Sequence, residues 1–167
     1  MPRLSGSREM MDESALRQGV DELAAAYADC IDDDRLEEWP DFFVEDCRYL
    51  ITDRDSHARG LRHGIIYCAS KGMCADRVMA LRRANIYEAH CYRHIVGPAR
   101  IGAVDGNIVE ARANFLAVRV MHDGASQVFA TGRYLDRIDT STRPFRFKER
   151  TVVLDSKKID TLLVIPL

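Results

Sequence analysis

Several things are missing from this chain, and each absence removes a class of function. No C-x-x-C pair occurs, and the C-x-H plus C-x-x-H pattern that would hold a Rieske cluster is absent. No H-E-x-x-H, G-x-G-x-x-G, P-loop or G-x-S-x-G stretch is present. Gly60, Gly64 and Gly72 are spaced for neither phosphate-binding loop. The net charge is only −2, so no basic excess argues for a nucleic-acid partner. The longest apolar runs are far too short to cross a bilayer. No secretory signal precedes the five widely spaced cysteines Cys30, Cys47, Cys68, Cys74 and Cys91. Their odd number favours free thiols in a reducing cytoplasm.

What is present describes an ordinary globular chain, 47% apolar and 30% charged over 167 residues. Residues 1–11 read as a mobile leader and 12–167 as one domain. In SALRQGVDELAAAYADCIDD, Leu16, Val20, Leu23, Ala24, Tyr27 and Ile31 recur at helical spacing, with Asp12 or Ser14 available as cap. The run Asp32-Asp33-Asp34 reads as a solvated helix end. RLEEW predicts a second short helix bounded by Pro40. CRYLI alternates as a strand, DRDSHARGLRH reads as a loop, IIYCA as a short strand, and ADRVMALRRANIY as a helix with Val78, Leu81 and Ile86 inward.

From about residue 92 the character changes to long strands. They run over YRHIVGPARIGAV, NIVEARANFLAVRVM, QVFATGRYLDRI and RFKERTVVLD. Asp105-Gly106 and Asp123-Gly124 mark hairpins, because both turn positions tolerate positive φ. Val109, Ala111, Ala113, Phe115 and Ala117 share one strand face, and Glu110, Arg112 and Asn114 share the other. Helices first and a meander afterward make an α+β domain, a curved antiparallel sheet wrapped around N-terminal helices.

The stretch YEAHCYRHIVG gathers ligand-type side chains, Glu88, His90, Cys91 and His94, and superficially resembles a two-histidine, one-carboxylate iron site. Its place at a helix-to-strand junction opposes that reading. On a strand the two histidines share a face but stand roughly 13 Å apart. Cys91 lacks the setting of an activated nucleophile and reads as a half-buried structural cysteine. General acid/base chemistry stays open: Tyr49, Asp53, His94, Arg112 or Asn114 could line a pocket inside the cone, or Arg112 and Asn114 could face water or a subunit.

Three stretches together resemble the small (beta) subunits of bacterial aromatic-ring-hydroxylating dioxygenases. They are DDDRLEEWPDFFVEDCRYLIT, CADRVMALRRANIYEAHCYRHIVG and GRYLDRID…FKERTVVLD. The resemblance runs from about residue 15 to the C-terminus. GLRHGIIYCASKGM, ALRRANIYEAHCYRHIVG and DTLLVIPL point to the branch acting on aromatic carboxylates such as terephthalate, with salicylate and anthranilate oxygenases as near alternatives.

The resemblance implies a cone-shaped fold similar to nuclear transport factor 2 and scytalone dehydratase. It also implies a non-catalytic subunit with no cofactor of its own, built into an assembly of three large (alpha) and three small subunits. The large subunit would carry the Rieske [2Fe–2S] cluster and the mononuclear iron, and a reductase would act indirectly. Homotrimeric contacts between small subunits are implied as well. Trp39, Arg77 and Arg93 match family positions, and the expected subunit interface comprises Trp39, Arg77, Tyr92, Arg93 and His94. The family's proline and serine before Arg93 are replaced here by His90-Cys91-Tyr92. Two other expectations compete: a stand-alone lyase or isomerase using the cone cavity, and a ligand-binding dimerisation module.

Overall fold

The computed structural model describes residues 12–62, 64–84, 89–158 and 165–167. The expected leader, the inward Ile86, the cluster's Glu88 and most of DTLLVIPL lie outside the described residues.

The first helix, α1 (Glu13–Asp32), buries Leu16, Val20, Leu23, Tyr27 and Ile31, the stripe that the helical spacing demanded. Asp12 sits at its N-cap, and its carbonyl accepts from Leu16 N–H at 2.9 Å; its side chain makes no cap bond. Beyond α1 the chain turns at Asp34, whose φ of 57° lies in the left-handed region that Asp tolerates better than most residues.

RLEEW forms a 3-10 segment (Leu36–Phe42) rather than an α-helix, and Pro40 lies inside it instead of ending it. The segment buries Leu36 and Trp39 completely. The polar stretch expected as a loop holds a one-turn helix, α2 (Arg54–Ala58). Asp53 caps it, with Oδ1 accepting from Asp55 and Ser56 N–H at 3.0 Å each. A third helix, α3 (Lys71–Ala84), starts earlier than the periodicity indicated.

Seven strands form one sheet: β1 (Phe43–Asp53), β2 (Ile66–Cys68), β3 (His90–Val96), β4 (Arg100–Asp105), β5 (Ile108–Met121), β6 (Ser126–Asp139) and β7 (Arg146–Leu154). Their order is β2-β1-β7-β6-β5-β3, with β4 also on β5. The expected single strand over residues 92–104 is therefore two. It breaks at Gly97-Pro98, where proline offers no N–H to the ladder, and both halves pair with β5. Gly106 and Gly124 adopt φ of 61° and 86° at the two expected hairpins.

All pairings are antiparallel except β1 with β7, which run parallel. A parallel pair needs a long crossover, and the chain between β1 and β7 supplies one. Register breaks at Phe43/Arg48, Ile101/Val104, Ala117/Val118 and Arg137/Ile138 bend the strands, which curves the sheet toward the helices.

One face of the sheet packs on the helices. Trp39 meets Tyr49 and Phe43 edge-on at 5.0 and 5.3 Å, and Tyr27 meets Phe147 at 5.5 Å. The other face is open to solvent over much of its length.

Candidate functional site

Strand alternation decides what the His90–His94 stretch can do. His90, Tyr92 and His94 project to the inner face in a row, with ring centroids 5.2 and 6.0 Å apart along it. Cys91, Arg93 and Ile95 project outward. Histidines four positions apart on a strand cannot close on one ion. Among the described residues no cluster of three His, Cys, Asp or Glu side chains is placed to hold a metal. Cys91, expected half-buried, is exposed. The other four thiols are buried, and burial pushes that of Cys30 up to about 11.

His94 has a specific partner in Asp32, the last residue of α1. Its Nδ1 lies 2.6 Å from Asp32 Oδ1, and its backbone N–H donates to Asp32 Oδ2 at 2.8 Å. Because a carboxylate only accepts, Nδ1 carries the proton, and the helix end is pinned to β3. Both side chains are sealed from water, and Nε2 meets no partner among the described residues. An oriented imidazole of this kind is chemically competent for proton transfer, yet no substrate atom can reach it without displacing core side chains.

Of the Asp32-Asp33-Asp34 run only Asp32 is buried; Asp33 and Asp34 are exposed, as expected of a solvated helix end, and each also has a cation nearby. Asp33 lies 3.7 Å from Arg35, and Asp34 accepts from Arg82 at 3.0 Å. Carboxylates at a helix C-terminus oppose its dipole, so these partners offset a local penalty.

The candidate acid/base residues do not converge. Tyr49 is buried, donating to the Leu167 carbonyl at 2.9 Å and accepting from Leu167 N–H at 3.0 Å. Asp53 caps α2, and the Ser56 hydroxyl and backbone N–H donors hold its carboxyl below the usual range. Arg112 and Asn114 stand on the outer face of the sheet, away from His94 on the inner one.

The expected interface set divides in the same way. Trp39 is wholly buried, and Tyr92 and His94 are 3% and 8% exposed, all three inside the chain's own core. Arg77 is half-buried on α3. Arg93 is on the surface, its side chain 64% exposed and one guanidinium nitrogen 3.7 Å from Asp32. Adjacent strand residues point to opposite faces, so Tyr92, Arg93 and His94 cannot all face one neighbour.

The outer sheet face carries two features that the sequence reading passed over. One is an apolar strip where Ile95 pairs in register with Leu116 and Val128 with Val118; Ile95 and Val128 are 58% and 62% exposed. The other is a charged floor. Glu149 bridges Arg48 and Arg137, the latter at 3.1 Å, while Arg100, Arg112 and Arg133 border a pocket of about 210 Å³. Period-2 alternation in GRYLDRI was the available signal, since it sets Arg133 and Arg137 on the face opposite Tyr134 and Ile138.

Comparison with known proteins decides what this scaffold belongs to. Residues 26–161 match the family model described as ring hydroxylating beta subunit. The chain belongs to that beta-subunit family. It is 47% identical over 143 residues to the Comamonas sp. terephthalate 1,2-dioxygenase terminal oxygenase component subunit beta 1, covering 86% of this chain and 93% of the relative. Identity to the anthranilate 1,2-dioxygenase small subunit of Burkholderia cepacia is 37%, covering 87% and 90%.

A crystal structure assigned as a ring-hydroxylating dioxygenase beta subunit from Novosphingobium aromaticivorans superposes with a TM-score of 0.84 at 41% identity, covering 92% of this chain and 98% of that one. A protein from the same organism assigned as a scytalone dehydratase gives 0.66 at 14% identity, which establishes the shared cone fold alone. As a ring-hydroxylating beta subunit the chain is a non-catalytic part of a multicomponent oxygenase, partnered by a large alpha subunit that holds the catalytic site.

Proposed function

We propose that this beta subunit supports a dioxygenase for aromatic carboxylates, with terephthalate as the leading substrate. The observation that carries this reading is the 47% identity, over nearly the whole of both chains, to a terephthalate 1,2-dioxygenase beta subunit. The anthranilate relative at 37% also names a ring bearing a carboxylate, which supports the substrate class. In this reading the domain spans residues 12–167, three copies contact one another, and three alpha subunits complete the assembly in the cytoplasm. The reductase acts through the alpha subunits.

The Rieske cluster and the mononuclear iron are assigned to the alpha subunit. The donor set of this chain does not fit a Rieske cluster: Cys47, Cys68 and Cys74 are core thiols, and His90 and His94 are committed to β3 beside Tyr92. Within the expected interface set, Trp39, Tyr92 and His94 brace the strand from inside, and Arg93 presents its charge outside. Arginine suits such a contact because its planar fork donates to carbonyls or carboxylates across an interface.

Co-expression with an alpha subunit of a terephthalate 1,2-dioxygenase tests the proposal. The expected result is a stoichiometric, iron-containing complex that dihydroxylates terephthalate when supplied with reductase. A chain that purified alone despite an intact, soluble alpha subunit would refute the subunit role. A complex that turned over anthranilate but not terephthalate would refute the substrate alone.

A further inference from the structure

The stretch Ile165-Pro166-Leu167 is buried throughout, with Leu167 wholly closed off and Ile165 only 5% exposed. It belongs to no helix or strand among the described residues, so no ladder holds it. Two tyrosines hold it instead. The Tyr27 hydroxyl, from α1, and the Tyr49 hydroxyl, from β1, both donate to the Leu167 carbonyl at 2.9 Å. The Leu167 N–H donates in turn to the Tyr49 oxygen at 3.0 Å. Tyr49 thus grips the N–H and the carbonyl of one residue, 118 positions away in sequence.

Packing alone does not ask for this. Phenylalanine at both positions would fill nearly the same volume, and a hydroxyl taken out of water costs free energy unless it is bonded. Here both hydroxyls are aimed at a single residue outside the sheet. Burial pushes both phenols above their ordinary range, so each stays protonated and remains a donor. Neighbouring rings fix their positions. Phe42, Phe43 and Phe147 meet Tyr27 edge-on at 5.7, 6.3 and 5.5 Å, and Trp39 and Phe43 meet Tyr49 at 5.0 and 5.8 Å. A few fixed polar groups set in an apolar, aromatic wall are the composition of a small-ligand site.

We propose that Tyr27 and Tyr49 form a binding cleft for a short apolar peptide unit, with residues 165–167 as its resident ligand. The same unit supplied by a separate molecule can take their place. The recognised chemistry is one amino-acid residue whose N–H and carbonyl meet the two hydroxyls and whose branched apolar side chain enters the core. This inference does not depend on the subunit reading. It bears on the competing lyase or isomerase reading, because interior space that such an enzyme would keep for substrate is filled by the chain itself.

The test uses the full chain and one probe, the N-acetylated peptide Ile-Pro-Leu. Binding is followed by the fluorescence of Trp39, the single tryptophan, whose ring lies 5.0 Å from that of Tyr49. In Leu167→Glu a carboxylate would have to be buried, which expels the segment and empties the cleft. The peptide should bind the wild type at least about a hundredfold more weakly than this variant, because the resident segment competes for the site. Binding to Leu167→Glu should be saturable, raise its urea midpoint and weaken about tenfold when Tyr49→Phe is added. Amide exchange reads the same separability in the wild type. The Leu167 N–H should exchange at least about tenfold faster than the β5–β6 ladder amides, through local release of the segment.

Equal affinity of the peptide for the wild type and Leu167→Glu would overturn the proposal, since the segment would then not occupy the site. So would a folded Leu167→Glu chain without saturable binding up to millimolar peptide, or an affinity untouched by Tyr49→Phe. Should Leu167→Glu fail to fold, exchange decides. A Leu167 N–H that exchanged only with global unfolding, at the rate of the β5–β6 amides, would make residues 165–167 an inseparable part of the core and refute the cleft.

Discussion

Arg150 and Asp136 offer the sharpest test of how the core is built. They face each other across β7 and β6, with Arg150 Nε donating to Oδ1 at 2.9 Å and Nη2 to Oδ2 at 2.8 Å. The guanidinium carbon lies 4.2, 4.1 and 3.9 Å from the ring centroids of Tyr27, Tyr134 and Phe147. Arg150→Met would fill much of the volume but leave a carboxylate among aromatic rings, at a cost of about 3–5 kcal/mol. Lost cation–π attraction, about 0.5–2 kcal/mol per ring, overlaps with that figure and is not added to it. Asp136→Leu alone would strand the guanidinium at similar cost. The double variant leaves neither charge buried and should fall within about 2 kcal/mol of wild type.

The single variants together therefore exceed the double by several kcal/mol, a coupling that urea unfolding followed by the fluorescence of the buried Trp39 would read directly. At this chain length each single variant should lower Tm by roughly 6–20 °C. pH supplies a second axis. Burial pushes the Asp136 carboxyl above its ordinary range, with the Arg150 charge pulling the other way. A carboxyl whose folded pKa is raised lends stability below its unfolded value and loses it as pH rises through the folded one. The Arg150→Met defect should then shrink on acidification and be largest near neutrality. Additive single effects, or a defect that grew in acid, would refute the account.

Other expectations follow from individual contacts. Tyr49→Phe orphans the Leu167 N–H and removes one of two donors to its carbonyl, the other being the Tyr27 hydroxyl at 2.9 Å, so it should cost about 1–3 kcal/mol; an unchanged thermal midpoint would count against the clamp. A Cβ at Gly132 would run into the Val153 carbonyl, so Gly132→Ala should destabilise by about 1–3 kcal/mol. At Gly72, in the first turn of α3, the nearest atom to a Cβ is Ser70 Oγ at 3.7 Å, and Gly72→Ala should stabilise by up to about 1 kcal/mol on the same denaturation curves. The Arg82 fork holds the Glu37 carboxyl below its usual range. Its stabilisation is present above the ordinary carboxylate pKa and fades as pH falls through the depressed one. Both groups are partly exposed, so the effect stays under about 1 kcal/mol, and carboxyl NMR titration should show Glu37 returning upward in Arg82→Gln.

The fold was legible where periodicity was long and uninterrupted. The stripe from Leu16 to Ile31 gave α1, and the alternation of residues 109–117 gave the buried face of β5, because burial of one face is what those spacings encode. Local chemistry that competes with periodicity was less legible. Asp53 turned a polar stretch into a capped helix, and Pro40 sat within a 3-10 segment whose wider tolerance for proline an α-helical expectation does not include. The strand over residues 92–104 was read as continuous because alternation passes smoothly across Gly97-Pro98. Both strands follow one edge of β5, and only the interruption of the ladder between Val96–Phe115 and Arg100–Arg112 divides them.

The candidate site shows the same division at the level of side chains. Sequence proximity drew His90, Cys91, Tyr92, Arg93 and His94 into one functional group, while the pleat of β3 deals them alternately to two environments. Asp32 is 62 positions from His94 and read as one of a solvated run, yet it provides the contact that gives His94 its orientation. Conversely Arg112, which the sequence places in a pocket or toward water or a subunit, stands beside Arg100 and Arg133 through the β4–β5 and β5–β6 registers. Residues that look catalytic in one dimension are thus used to join α1 to β3. On the opposite face Arg100, Arg112 and Arg133 stay exposed to solvent.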